Sequence, residues 1–182
     1  TKNVQGKKNM RILLVDDDTN LLKVLSAILN AKGMETLSAE TGTDALSHFD
    51  GQEIDVVLID LKLEGSSGLE VMRSIKAQSA DTECILLTGY ASQASAIEAV
   101  NLGAFAYFQK PYNIDQLLLA IKRAGERRAM EQALRESEER FRRLAENARD
   151  LIYRYEFIPQ RGFSYVSPAA TVITGYTPEE HY

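Results

Sequence analysis

The sequence predicts an α/β protein built on a doubly wound, five-stranded parallel sheet. Short, uniformly apolar runs recur through the first two-thirds of the chain, and amphipathic stretches of helical period separate them. Ile12-Leu13-Leu14-Val15 is too short for a helix and too apolar for a half-exposed strand. That is how a strand covered by helices on both faces reads. Carboxylates and a lysine fall at the ends of these runs, where a sheet of this class binds its ligands.

The elements follow in order. After Ile12–Val15, residues Leu21, Leu22, Leu25, Ile28 and Leu29 share one helical face, and Gly33 after Lys32 marks the stop. Glu35 to Ala39 reads as a weaker second strand, and Val56-Val57-Leu58-Ile59 as a third. Leu69, Met72, Ile75 and Lys76 form a second helical stripe before the strand Ile85-Leu86-Leu87. Ile97, Val100 and Leu102, closed by Gly103, form a third stripe before the last strand, Phe105 to Phe108. Five strands with short links to helices fit a parallel, doubly wound sheet.

After Pro111 the pattern changes. Asn113 is a candidate N-cap with Gln116 three residues on, as in a capping box. Acid-before-base pairs follow at Glu131/Arg135, Glu136/Arg140, Glu138/Arg142 and Glu139/Arg143. Met130, Leu134, Ser137, Phe141, Leu144, Ala148 and Leu151 repeat at alternating spacings of four and three, a heptad seam. One long helix is expected, with Gly125 its weak point. Leu151 to Phe157 and Gly162 to Val166 then read as strands, and Ser167-Pro168-Ala169-Ala170 as a short helix start.

Composition narrows the function. A net charge of −5 argues against nucleic acid held through its phosphates. The single cysteine, Cys84, lies in an apolar run, excludes an internal disulfide and reads as a small buried hydrophobe. No apolar stretch approaches the roughly 20 residues of a membrane helix. A soluble, cytoplasmic protein is expected, with residues 1–9 as a flexible lead-in.

The polar groups at strand ends are Asp16, Asp17 and Asp18 after the first strand, Asp60 at the third, Thr88 at the fourth and Lys110 after the fifth. All would converge on one edge of the sheet. Clustered carboxylates repel unless a lysine or a divalent cation compensates them, and Mg²⁺ suits an open oxygen cluster. Val15-Asp16-Asp17-Asp18, Leu58-Ile59-Asp60-Leu61, Leu87-Thr88-Gly89 and Gln109-Lys110-Pro111-Tyr112 resemble the receiver motifs of two-component signalling in order and spacing.

The resemblance implies a flavodoxin-like strand order 2-1-3-4-5 and a phosphorelay role. Asp60 would take a phosphoryl group from a phosphohistidine on a histidine kinase or a histidine phosphotransfer domain. Asp17 and Asp60 would bind Mg²⁺, with Asp16 helping through water and the Lys62 carbonyl completing the set. Thr88 would hydrogen-bond one phosphoryl oxygen and Lys110 would neutralise another. Tyr107 matches the switch aromatic, and a cis peptide is expected before Pro111. Asp18 reads equally well as a helix cap. Glu64 stands where the family often has proline, which suggests a more mobile loop from Glu64 to Gly68. Lys62 and Tyr90, each two residues beyond a site residue, flank the path of attacking water.

The segments Ser137 to Asn147, Leu151-Ile152-Tyr153, Tyr165 to Ala169 and Gly175 to Glu180 resemble the beginning of a PAS sensory domain. The expected organisation is a receiver at 10–125, a signalling helix or coiled-coil linker at 126–150 and a truncated PAS start at 151–182. The helix seam suggests a homodimer. The chain carries no kinase catalytic domain, and a sensor histidine kinase is the leading parent, ahead of a diguanylate cyclase. Two other functions compete: a Mg²⁺-dependent phosphoaspartate phosphatase and a phosphorylation-independent interaction module. The first usually has a second acid two residues after its nucleophile, where Lys62 stands, and the second has lost its acids.

Overall fold

A computed structural model of the chain describes residues 9–49, 52–89, 93–159 and 161–182. Two compact units divide between Glu131 and Gln132. In the first, β1 (Arg11–Val15), α1 (Thr19–Ala31), β2 (Glu35–Ala39), α2 (Gly42–Ser47) and β3 (Val56–Asp60) lead to two short strands, β4 (Lys62–Leu63) and β5 (Ser66–Ser67). Then come α3 (Gly68–Gln78), β6 (Glu83–Thr88), α4 (Gln93–Asn101), β7 (Ala106–Gln109) and α5 (Ile114–Glu146), which runs on past the unit's end.

The main sheet is parallel throughout, ordered β2-β1-β3-β6-β7. With the two-residue pair β4 and β5 left out of the count, that is the order 2-1-3-4-5. Strand alternation divides the core into two layers. Ile12, Leu14, Val56, Leu58, Ile85 and Leu87 meet α1 and α5 through residues such as Leu25, Leu117 and Ile121. Leu13, Val57, Ile59, Cys84 and Leu86 meet α2, α3 and α4 through residues such as Ala45, Met72 and Ala99. The inner strands β1, β3 and β6 are therefore apolar on both faces along most of their length, which is why no polar alternation marks them in the sequence. Burial pushes the Cys84 thiol up to about 12, so it stays protonated.

Three expectations change. Ile97 and Val100 are exposed, Val100 by 70%, and the buried side of α4 is Ala99. A helix packed close to a sheet buries its small residue, so the larger apolar stripe faces out. Gly125 does not interrupt α5, which runs unbroken through it, and a Cβ there would meet only the flexible tip of Met10, 2.1 Å away. From Glu64 to Gly68 the chain makes a bonded hairpin, with Lys62 opposite Ser67 and Leu63 opposite Ser66. Gly65 takes a φ of 79° at its tip, a conformation costly for other residues, and Ser67 and Glu70 form a capping box into α3.

Beyond Gly125, α5 is tied to the end of the sheet where β3 and β6 begin, opposite their C-terminal tips. Arg128 pairs with Asp55, whose other oxygen accepts the Arg11 amide at 2.7 Å. Arg127 reaches Glu83 Oε1 at 3.1 Å. Burial raises the Glu83 pKa, against the opposing charges of Lys76 and Arg127.

In the second unit, α5 ends at Glu146, where Asn147 Nδ2 donates to the Arg143 carbonyl at 2.7 Å. Ala148 and Leu151, the last two seam positions, lie past that end, while Met130, Leu134, Phe141 and Leu144 are exposed on the helix. An antiparallel pair follows, β8 (Tyr153–Glu156) and β9 (Gly162–Val166), with Phe163 stacked edge-on between Tyr153 and Tyr155. Buried Ser167 closes its base, donating its amide to the Ile152 carbonyl at 2.8 Å and accepting the Ile152 amide at its Oγ. Then come α6 (Ala169–Thr174) and a 3-10 turn, Pro178–His181.

Gly68 lies so close to the end of β3 that a Cβ would sit 2.1 Å from the Asp60 carbonyl oxygen and 2.9 Å from Leu61 Cα. Backbone atoms cannot step aside as a side-chain tip can. Gly68→Ala is expected to cost about 1–3 kcal/mol in urea denaturation, and an unchanged midpoint would contradict this packing.

Candidate functional site

Strand termination builds the site. β1, β3 and β6 end at neighbouring positions, with Val15 opposite Ile59 and Asp60 opposite Leu87. The residues that follow their last apolar positions therefore gather at one edge. Asp16 continues the Ile12, Leu14 alternation, Asp60 continues Val56, Leu58, and Lys110 continues Ala106, Phe108. All three belong to the α1/α5 face. Thr88 and Tyr107 continue the other face, with Cys84 and Leu86.

One ammonium organises the acids. Lys110 Nζ lies 2.7 Å from Asp16 Oδ2 and 2.7 Å from Asp60 Oδ1. Both carboxylates are buried, at 4% and 6% exposure. Each also turns its other oxygen back on its own backbone: Asp16 Oδ1 accepts the Asp18 amide at 3.0 Å and Asp60 Oδ2 accepts the Lys62 amide at 2.8 Å. This local turn holds the two carboxylates in place before any ligand arrives. Burial alone would lower the Lys110 pKa, but its hydrogen bonds to Asp16 and Asp60 and their charges raise it above the usual 10.5. The contribution of Lys110 to stability is complete at neutral pH and is lost as pH rises through that raised value.

The other expected residues are placed as follows. Asp17 is exposed beside Asp16. Asp18 caps α1, accepting the Asn20 and Leu21 amides at 2.9 and 3.1 Å. Thr88 is buried at the end of β6, and its carbonyl accepts the Lys110 amide at 2.6 Å. Tyr107 is half-buried, its hydroxyl 3.1 Å from Ser95 Oγ. The side chain of Lys62 is exposed, and the Lys110–Pro111 peptide is cis. Tyr90 lies outside the described residues. One group escaped the sequence reading: the Tyr112 hydroxyl is shielded from solvent and has no hydrogen-bond partner among the described residues. A polar-tipped aromatic two residues beyond Lys110 was the only signal.

A family model described as the response regulator receiver domain matches residues 12–122. The chain belongs to this receiver family. Regulatory protein AtoC of Escherichia coli (strain K12) is 36% identical over 125 residues, 69% of this chain and 27% of AtoC. Sporulation initiation phosphotransferase F of Bacillus subtilis (strain 168) is 32% identical over 115 residues, 63% of this chain and 93% of that protein. A CheY-like receiver structure from Methanospirillum hungatei JF-1 matches with a TM-score of 0.65 at 33% identity, covering 68% of this chain and 98% of that one. A Burkholderia pseudomallei response regulator, solved with a phosphorylated aspartic acid, calcium ion and citrate, matches with a TM-score of 0.60 at 30% identity, covering 76% and 86%. This chain thus spans little more than a quarter of the length of AtoC.

Receivers serve two-component signalling by taking a phosphoryl group from histidine kinases or phosphotransfer proteins, and they generally use Mg²⁺. Among the described residues, no three carboxylate, imidazole or thiolate side chains form a preset metal cage. The donors that do gather are all oxygens: two shielded carboxylates, with exposed Asp17 adjoining. Hard oxygen donors in a partial set fit Mg²⁺, which keeps several waters, better than softer metals.

Without Lys110, two buried carboxylates would face each other uncompensated. Lys110→Met is expected to lose about 3 kcal/mol at neutral pH without Mg²⁺. Chemical denaturation measures this, and an unchanged midpoint would contradict it.

Proposed function

We propose that this receiver is phosphorylated on Asp60. The observation that carries the reading is the Lys110 ammonium bridging Asp16 and Asp60 at adjacent strand tips, with Thr88 at the next tip. An Asp60 carboxylate oxygen forms a bond to phosphorus while the phosphorus–nitrogen bond of the donor phosphohistidine breaks, and the electron pair leaves with the imidazole. Phosphoryl transfer depends chiefly on positioning and on neutralising charge. Lys110 supplies one positive charge, and the Thr88 hydroxyl donates to a phosphoryl oxygen. Asp17, Asp60 and the Lys62 carbonyl would hold Mg²⁺, with Asp16 acting through water, and the ion when bound adds further charge neutralisation.

Tyr107 reports the state of the site by following Thr88, which lies on the same face of the sheet. The long helix carries that change toward a PAS-type sensor in a sensor histidine kinase parent. The β8–β9 pair and the short helix after it support the PAS reading. Exposed Met130, Leu134, Phe141 and Leu144 support a homodimer through the helix seam.

Incubating the protein with acetyl phosphate and Mg²⁺ should add one phosphoryl group, read by intact mass, and Asp60→Ala should add none. A phosphoryl group on Asp60→Ala would move the acceptor elsewhere.

A further inference from the structure

Tyr112 follows Lys110 by two residues, and its ring packs on the layer formed by Ile12, Leu14, Val56 and Leu58. The next positions of those same strand alternations are Asp16 and Asp60. The ring therefore lies on the face whose tips carry the carboxylate pair and Lys110. Its hydroxyl is shielded and has no partner among the described residues. Buried hydroxyls almost always have one, because leaving water unrepaid is unfavourable. Burial raises its pKa, the Lys110 charge opposes this, and the Asp16 and Asp60 charges add to it, so the phenol lies within electrostatic range of all three. Oxygen-bound Mg²⁺ keeps several waters, each needing an acceptor beyond the ion. A lone pair of the phenol oxygen supplies such an acceptor without binding the metal.

We propose that Tyr112 is a positioning residue of the phosphorylation site, its hydroxyl hydrogen-bonding a water of the hydrated divalent cation held by the acidic cluster. The proposal rests on the reading of Asp16, Asp17 and Asp60 as the cation site. It gives Tyr112 a role outside the acids, the threonine and the lysine. Without the ion, the hydroxyl has no partner among the described residues, so its removal should leave the folded protein as stable as before or more so. With the ion, its removal deprives one bound water of a partner.

Calorimetric titration of the full chain with MgCl₂, paired with thermal unfolding, separates these effects. Tyr112→Phe should bind Mg²⁺ about three- to tenfold more weakly than the unsubstituted protein, the range expected for one hydrogen bond. Its unfolding midpoint without Mg²⁺ should be unchanged or higher. Equal Mg²⁺ affinity in the two proteins would overturn the proposal while leaving the cation site intact. A midpoint lowered equally with and without Mg²⁺ would also overturn it, by making the hydroxyl structural. If the unsubstituted protein fails to bind Mg²⁺, the cation reading falls and this inference falls with it.

Discussion

The sharing of one ammonium by two buried carboxylates governs the site. Two anions at adjacent strand tips would repel strongly in a poorly solvated setting. Lys110 makes their approach tolerable, and the Asp18 and Lys62 amides fix the remaining oxygens. The pair is thereby held in one orientation by the protein's own groups.

Sheet alternation gives this arrangement a second property. The charged groups Asp16, Asp60 and Lys110 stand over the α1/α5 layer, whereas Thr88 and Tyr107 stand over the layer of α2, α3 and α4. Asp60 thus shares its face of the sheet with the lysine, while the two hydroxyl residues belong to the opposite face. At the far edge of the same strands, Asp55 and Glu83 hold Arg128 and Arg127 of the long helix. β3 and β6 therefore have site residues at one end and helix ties at the other. Glu83 is buried and Asp55 half-buried, so losing either arginine would leave a poorly solvated charge, a larger cost than breaking a surface pair.

Much of this was legible in the sequence. β1, β3 and β6 stand out because strands covered on both faces are apolar at every position, and the phosphorylation-site groups stand out because each follows such a run. The Asp18 cap and the Asn113 cap could be read from local chemistry, Asn113 Oδ1 accepting the Asp115 and Gln116 amides. Other features depend on partners distant in the chain. Periodicity identified apolar positions on α4 but could not rank Ala99 above Ile97 and Val100. The Asp55–Arg128 pair spans 73 positions, and no local pattern announces it. Gly68 reads as loop because its value lies in the backbone that approaches it. Tyr112 carries no signal of its own in the sequence because a missing hydrogen bond cannot be seen without neighbours.

The compensation of Asp16 and Asp60 by Lys110 is tested most directly by a double-mutant cycle in stability, without Mg²⁺. Lys110→Met is introduced into the unsubstituted protein and into Asp16→Asn/Asp60→Asn, and each step is measured by denaturant unfolding. The account predicts a large loss in the first background and little or none in the second, a coupling of about 1–3 kcal/mol. Equal losses in both backgrounds would mean that the lysine stabilises the fold by some other contact, and would contradict the account.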